Sequence, residues 1–179
     1  MDLPDLQPTL RGALVDLRPV RPDDWAEMFA AAADPLIWAV HPVSNRYQKP
    51  IFREFFDSAV ASHAALTILD RTTGQIIGSS RYHGHDPAIS EIEIGWTFIA
   101  RAYWGGEYNR EIKRLMLDHI FQYVDCVIFM VGEANYRSQR AMEKIGGVKR
   151  AGMRARSYQD VTHPHFVYEI SKGSGGLWS

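Results

Sequence analysis

The residues of this chain best suited to chemistry lie between Glu91 and Asn109. Ile92, Ile94, Trp96 and Phe98 alternate with Glu91, Glu93, Gly95 and Thr97, the period of two of a strand with one buried face. The run then turns through Tyr103-Trp104-Gly105-Gly106 and opens a helix, whose inner positions Ile112, Leu115, Met116, His119, Ile120 and Tyr123 recur at spacings of three and four. A strand, a glycine turn and a helix start together offer free backbone N–H groups at the positive end of a helix dipole. Such groups bind anions, phosphates above all. Arg101, Arg110, Lys113 and Arg114 surround the same turn and add candidates for charge-assisted contacts. Two carboxylates, Glu91 and Glu93, share the strand face opposite Ile92 and Ile94. A second polar pair, Asn135 and Ser138, stands at the start of the last helical run, where asparagine is a good N-cap.

A chain of 179 residues can build one domain with a real core, so residues 1–179 are expected to form a single domain. Its 46% hydrophobic and 23% charged residues are ordinary for a soluble globular protein. A net charge of -1 argues against a general affinity for nucleic acid or anionic membranes. Cys126 is the only cysteine, so no internal disulfide can form and a reducing, cytoplasmic compartment is expected. The start, Met1 to Gly12, lacks the basic and apolar regions of a secretory signal, and no segment approaches the roughly 20 apolar residues of a membrane span. His163 and His165 have no cysteine partners or ligand spacing, so no metal is expected. A P-loop motif is absent, and the single Gly-Gly turn lacks the spaced glycines of a dinucleotide fold.

Those residues need elements to hold them. Residues 1–12 read as an arm. Leu14 to Val20 alternates as a first strand, and Arg21 to Asp24 opens a helix that runs to Ala33. Leu36 to Lys49 is an aromatic-rich irregular loop in which Trp38 and Tyr47 are candidates to line an acceptor pocket. A second helix spans Ile51 to Ser62. Strands follow at Ala65 to Leu69, Gln75 to Tyr82 and from Glu91, with His83 to Pro87 as a turn. After the helix ending near Tyr123, the apolar run Cys126 to Val131 reads as a strand covered on both faces. The last helix, Asn135 to Ile145, stops at Gly146-Gly147, and strands at Val148 to Met153 and His165 to Ser171 close the fold before a flexible tail, 172–179. The order βααβββαβαββ predicts an α/β (α+β) fold: a mixed, mostly antiparallel sheet of about seven strands with helices on both faces.

That order, with these residues, resembles the GNAT superfamily of acetyl-CoA-dependent N-acetyltransferases, closest to the branch of Rim-type ribosomal-protein N-terminal acetyltransferases. Three passages carry the resemblance. Glu93-Ile94-Gly95 followed by Tyr103-Trp104-Gly105-Gly106 and a helix is similar to the family's pyrophosphate-binding motif. Asn135-Tyr136-Arg137-Ser138 resembles its Asn-x-x-Ser helix start, and Glu143-Lys144-Ile145-Gly146-Gly147 its usual helix ending. Two positions depart from the pattern. Glu107 stands where the family loop usually carries a glycine, and Met142 where many members have the tyrosine that protonates the leaving thiolate.

The resemblance implies acetyl-CoA as co-substrate, with acetyl passing to a primary amine by direct attack on the thioester. The acceptor is a protein N-terminus or a small-molecule amine. It also implies cofactor contacts at Trp96, where strands splay, at Trp104, Gly105, Gly106, Glu107, Tyr108 and Asn109 around the pyrophosphate, and at Asn135 and Ser138. With Met142 in place of tyrosine, Ser138 is the expected general acid. An attacking amine must lose a proton, and Glu93 is the expected base, with Glu91 also eligible. Expected partners are acetyl-CoA and the amine alone, without nucleic acid or membrane, in a monomer or a homodimer. The departure at Met142 keeps a second reading open, a catalytically silent acyl-CoA-binding module.

Overall fold

In the computed structural model of this chain, residues 3–158 and 160–174 are described. A short strand, β1 (Leu10–Arg11), pairs antiparallel with β2 (Val15–Pro19). Three helices follow: α1 (Trp25–Ala32), α2 (Pro35–Trp38) and α3 (Lys49–Ala61). Pro35 and Pro50 sit in the first turns of α2 and α3, where a missing N–H removes no helical bond. Strands β3 (Ala65–Asp70), β4 (Ile76–Asp86) and β5 (Glu91–Ile99) form an antiparallel meander. Helix α4 (Glu107–Ile120) then crosses to β6 (Cys126–Gly132), the one strand parallel to its neighbour β5. Helix α5 (Tyr136–Lys144) leads into the hairpin of β7 (Val148–Tyr158) and β8 (Val161–Ser171), and β8 inserts between β6 and β7.

The sheet therefore has eight strands in the order β1-β2-β3-β4-β5-β6-β8-β7. The strand beyond the expected seven is β1, which belongs to the segment read as an arm. His83 to Asp86, expected as a turn, continue β4, and the closing hairpin is longer than its sequence pattern suggests. Two apolar clusters cover the two faces. One joins Ile92 and Ile94 to Ile112, Met116 and Ile120 of α4 and Met142 of α5. The other joins Phe98 to Met28 of α1, Trp38 of α2 and Phe52, Phe55 and Phe56 of α3. Burial of these side chains, at about 25 cal/mol per Å² of apolar surface, is the main force holding both helical layers to the sheet.

The arm is docked on α4 rather than loose. The Glu111 carboxylate accepts the backbone N–H groups of Ala13 (2.8 Å), Leu14 (2.6 Å) and Val15 (2.9 Å), and Leu6 and Leu10 pack on the core. Gly12 is required there: a Cβ would lie 2.5 Å from Glu111 Oε2. The expected flexible tail falls largely on 175–179, outside the described residues. Because three N–H groups converge on one carboxylate, Glu111→Ala is expected to cost about 2 kcal/mol of stability. Amide exchange at Ala13, Leu14 and Val15 should accelerate more than exchange in β4, which a denaturation series with hydrogen-exchange readout will report.

Candidate active site

The site begins where two strands part. β5 and β6 pair only at Glu91, Ile92 and Glu93 against Cys126, Val127 and Ile128. Beyond Glu93 the strands diverge, and a cleft of about 650 Å³ opens between them. A bulge in β5 marks the same place. Arg81 faces Gly95 and Ser79 faces Phe98, so Trp96 and Thr97 together oppose Ser80. Trp96 takes φ +51° to make the bend. One extra residue reverses the inside–outside alternation: Ile92 and Ile94 face the α4 side, whereas Phe98 faces the α1–α3 side. The simple alternation expected from Ile92 to Phe98 therefore holds only as far as Ile94.

At one end of the cleft is the Trp104–Asn109 turn. The backbone N–H groups of Gly105, Gly106, Glu107, Tyr108 and Asn109 have no hydrogen-bond partner among the described residues, and the first helical bond is Arg110 N–H to Gly106 O at 2.9 Å. Gly105 and Gly106 adopt φ +124° and +115°, a region that side chains disfavour, and nothing lies within 4 Å of a Cβ built on either. Five open amides at the head of a 14-residue helix are an anion receptor. The side chains behave differently from one another. The Trp104 indole N–H donates to Ile99 O (3.0 Å), and Arg137 lies 4.0 Å over its ring. Tyr108 turns away and donates its hydroxyl to Asp70 Oδ2 (3.0 Å), and Glu107 points into solvent, so these two offer only backbone to the cleft. Of the four basic residues expected here, Arg110 and Lys113 line the cleft. Arg101 pairs with Asp34 instead, and Arg114 lies by Glu111 and Asp118.

Helix α5 supplies the opposite wall. Asn135 caps it, its Oδ1 accepting the Ser138 N–H at 3.2 Å. The Asn135 side-chain amide has no hydrogen-bond partner among the described residues, although the residue is only 7% exposed and lines the cleft. Ser138 stands on the same wall, half-buried, its hydroxyl also without a partner among the described residues. Met142 is buried between the cleft and the apolar cluster under α4.

The expected base is not a free carboxylate. Glu93 is 4% exposed, and both its oxygens accept from Arg156, at 2.9 and 2.6 Å. Glu91 is likewise buried and held by Arg150 at 2.6 Å. The strand face read as polar is roofed by arginines from β7, Arg150, Arg154 and Arg156, which alternate along that strand and reach across β8 and β6. A bidentate arginine occupies both oxygens, which leaves Glu93 poorly placed to meet an acceptor amine.

Sequence reading missed the groups beyond Glu93. His165, 1% exposed, lines the cleft, and its Nδ1–H donates to His163 O (2.9 Å), leaving Nε2 as an acceptor 3.4 Å from the Tyr158 hydroxyl. Burial holds its pKa below the usual histidine value, so the ring is neutral at pH 7. His41 and Arg46 complete this end, packed against Trp38 and Tyr158. Trp38 lines the cleft as expected, whereas Tyr47 packs in the apolar cluster around α3. The alternation of His163 and His165 along β8 was the available signal, but its inward phase depends on the pairing of β8 with β6.

Lys113 lies deeper than a place beside the turn implies. It is 2% exposed, donates to Thr97 Oγ1 (2.7 Å) and lies 5.3 Å from the Phe129 ring, bridging the two parted strands from beneath. No carboxylate pairs with it among the described residues. Burial pushes its pKa down to about 7.

Comparison with known proteins gives this geometry a family. The profile described as "Acetyltransferase (GNAT) domain" matches residues 15–148, three quarters of the chain. The protein belongs to the GNAT acetyltransferase family. No curated protein matches its sequence. Among solved structures, a GNAT-family acetyltransferase of Chromobacterium violaceum is similar at 20% identity and TM-score 0.80, covering 96% of this chain and 88% of that one. A candidate ribosomal-protein-serine acetyltransferase of Vibrio cholerae matches at 12% identity and TM-score 0.74, covering 92% and 97%. Microcin C7 self-immunity acetyltransferase MccE, solved with acetyl-CoA and AMP, matches at 12% identity and TM-score 0.75, covering 94% and 99%. These identities bear on the fold. Acetyl-CoA is the co-substrate of this family, and the open amides at the head of α4 suit its pyrophosphate. No helix among the described residues is long and apolar enough to cross a membrane.

Lys113 yields a test of the site's electrostatics. Its folded pKa lies below the unfolded value near 10.4, so the unfolded chain binds more protons between about pH 7 and pH 10 and stability gains with rising pH there. In Lys113→Met that contribution disappears. The variant is expected to melt above the wild type at pH 6, with the difference shrinking towards pH 10, in thermal scans without ligand.

Proposed function

We propose that this acetyltransferase moves acetyl from acetyl-CoA to a primary amine by direct attack on the thioester, in the manner of the Rim-type branch that its Asn135–Ser138 passage resembles. The observation that carries the proposal is the continuity of one cleft from the five open amides at the head of α4, along the gap between β5 and β6, to Ser138 and His165. Acetyl-CoA supplies the activated carbonyl and a thiolate leaving group. The chain supplies everything else.

The amides of Gly105 to Asn109 hold the diphosphate, with Trp104 beside them, and the free Asn135 amide meets the pantetheine end. The backbone released at Gly95 and Trp96 by the bulge hydrogen-bonds the same arm. Ser138 gives its proton to the departing thiolate, taking the place that the buried Met142 cannot fill. For the base, the ion-paired state of Glu93 favours a revised assignment. Glu93 holds Arg156 in place, and the neutral Nε2 of His165, directly or through Tyr158, takes a proton from the acceptor's ammonium, so that the neutral amine attacks the thioester.

Release of free thiol, followed across a panel of peptides and small amines, tests the activity. Ser138→Ala is expected to lower kcat by roughly 100-fold with unchanged calorimetric affinity for CoA. Gly105→Val should do the reverse: a branched side chain at φ +124° strains the turn by about 1–3 kcal/mol and weakens CoA binding while the bound complex keeps its kcat. Full kcat in Ser138→Ala would remove the acid assignment. Undiminished CoA affinity in Gly105→Val would remove the cradle. CoA binding without turnover on any amine would favour the silent acyl-CoA-binding module.

A further inference from the structure

The cleft is one-sided in charge. No aspartate or glutamate lines it among the described residues, although the chain as a whole carries a net charge of -1. Apart from Lys113 and the Arg156 that pairs with Glu93, the basic residues fall into two groups. Arg110, Arg137, Arg140 and Lys144 stand on α4 and α5 around the phosphate end, where a polyanionic nucleotide accounts for them. Arg46 does not belong to that group. It comes from the loop after α2 and faces the other end, between Tyr158 of β7 and Trp38.

Arg46 is only 6% exposed, and no carboxylate pairs with it among the described residues. Its guanidinium carbon sits 4.8 Å from the Phe55 ring, 5.2 Å from Trp38 and 5.8 Å from Tyr158. Its one polar side-chain contact among the described residues is His41 Nε2 at 3.3 Å, and that contact is mismatched. The Val43 N–H donates to His41 Nδ1 at 2.9 Å, so the single proton of a neutral His41 ring is on Nε2. Burial and the nearby Arg46 keep the ring neutral by holding its pKa well below the usual range. Two donors, Arg46 Nη1–H and His41 Nε2–H, thus converge on one spot that contains no acceptor. A second buried guanidinium, Arg81, lies behind with Nε and Nη2 unpartnered and adds to the positive potential. A buried cation with unmatched donors is expensive unless an anion comes to it.

We propose that Arg46 and His41 form the acceptor's anion site, so that the amine this enzyme acetylates carries a carboxylate. The claim rests on the acetyl-transfer reading of the same cleft and names its substrate class. A carboxylate fits better than a phosphate, because one guanidinium and one neutral N–H match a planar monoanion, and the aromatic walls of Trp38 and Tyr158 admit a flat group. The anion at Arg46 then fixes which end of the acceptor enters the cleft, and the amine is left facing His165 and the parted strands. The occupant is a small amino acid or short peptide whose own carboxylate reaches Arg46. Polycationic amines are repelled by the same charges.

The test uses the full-length enzyme and dipeptides with a free C-terminal carboxylate, each paired with its carboxamide, whose α-amines differ little in basicity. The carboxylate member is expected to show kcat/KM at least roughly tenfold higher, the scale of one charge-assisted hydrogen bond. Arg46→Met should abolish that preference, and Arg46→Lys should restore part of it. Calorimetry of the N-acetylated dipeptides and their amides against the CoA-loaded protein repeats the comparison without turnover, and the same selectivity, lost in Arg46→Met, is expected there. Arg46→Met should melt no lower than the wild type, since it removes an unneutralised buried charge. Equal use or binding of acid and amide, a selectivity that survives in Arg46→Met, or stronger selection for a phosphorylated amine would each overturn the proposal. Acetyl transfer to neutral amines with no carboxylate preference would overturn it while leaving the acetyltransferase reading intact. Carboxylate-selective binding without any acetyl transfer would do the opposite.

Discussion

The site depends on a hydrogen-bond ladder that stops early. β5 and β6 begin as ordinary parallel neighbours and then part after Glu93, because the bulge at Trp96 and Thr97 turns β5 away. Backbone groups at a sheet's centre normally bond each other, and leaving them open is costly. Here the opening is maintained by what surrounds it. Lys113 bridges Thr97 to the Phe129 ring from below, and Arg156 ties Glu93 to β7 from the other face. The open amides of the following turn and the cap of α5 border the gap that this departure from regular pairing leaves.

Charge is distributed around this opening by burial rather than by sequence position. Glu91 and Glu93 are neutralised by arginines three strands away in the sheet, so the carboxylates nearest the gap are structural. Two buried cations that line the cleft without a carboxylate partner among the described residues, Lys113 and Arg46, are held in low-dielectric surroundings where a charge interacts strongly with whatever arrives. One sits under the gap and the other at its far end. This distribution explains how a chain of nearly zero net charge presents a cleft suited to anions, and why its overall charge said nothing about its ligand.

Much of the fold was visible in residue patterns. The order of helices and strands, the helix on Ile112, Met116 and Ile120, and the glycine turn before it follow from local spacing. The phosphate-end turn and the Asn135 cap were legible for the same reason: both are short-range devices whose chemistry lies within a few residues. Less was legible at the catalytic end. Lys113 reads in the sequence as one of four cations around a turn, yet it shares the buried helix face of Leu117 and Ile120. Glu93 looked like an available base because nothing near it in sequence marks Arg156, 63 residues on, as its partner. The β1 strand was missed because it is only two residues long, and the turn that leads from it to β2 is held by Glu111, 96 to 98 residues on in the sequence.

The sequence by itself determined the kind of molecule: its element order, its anion-binding turn, its capped last helix and, through those passages, its likeness to acetyltransferases. Each is a property of neighbouring residues, whose propensities and hydrogen bonds act over a turn or a strand. Tertiary structure alone decided which side chains meet. The one-residue bulge reverses the facing of every later residue in β5, and the insertion of β8 between β6 and β7 turns His165 inward and brings Arg156 over Glu93. Those are matters of register between segments far apart in the chain, and no local pattern records them.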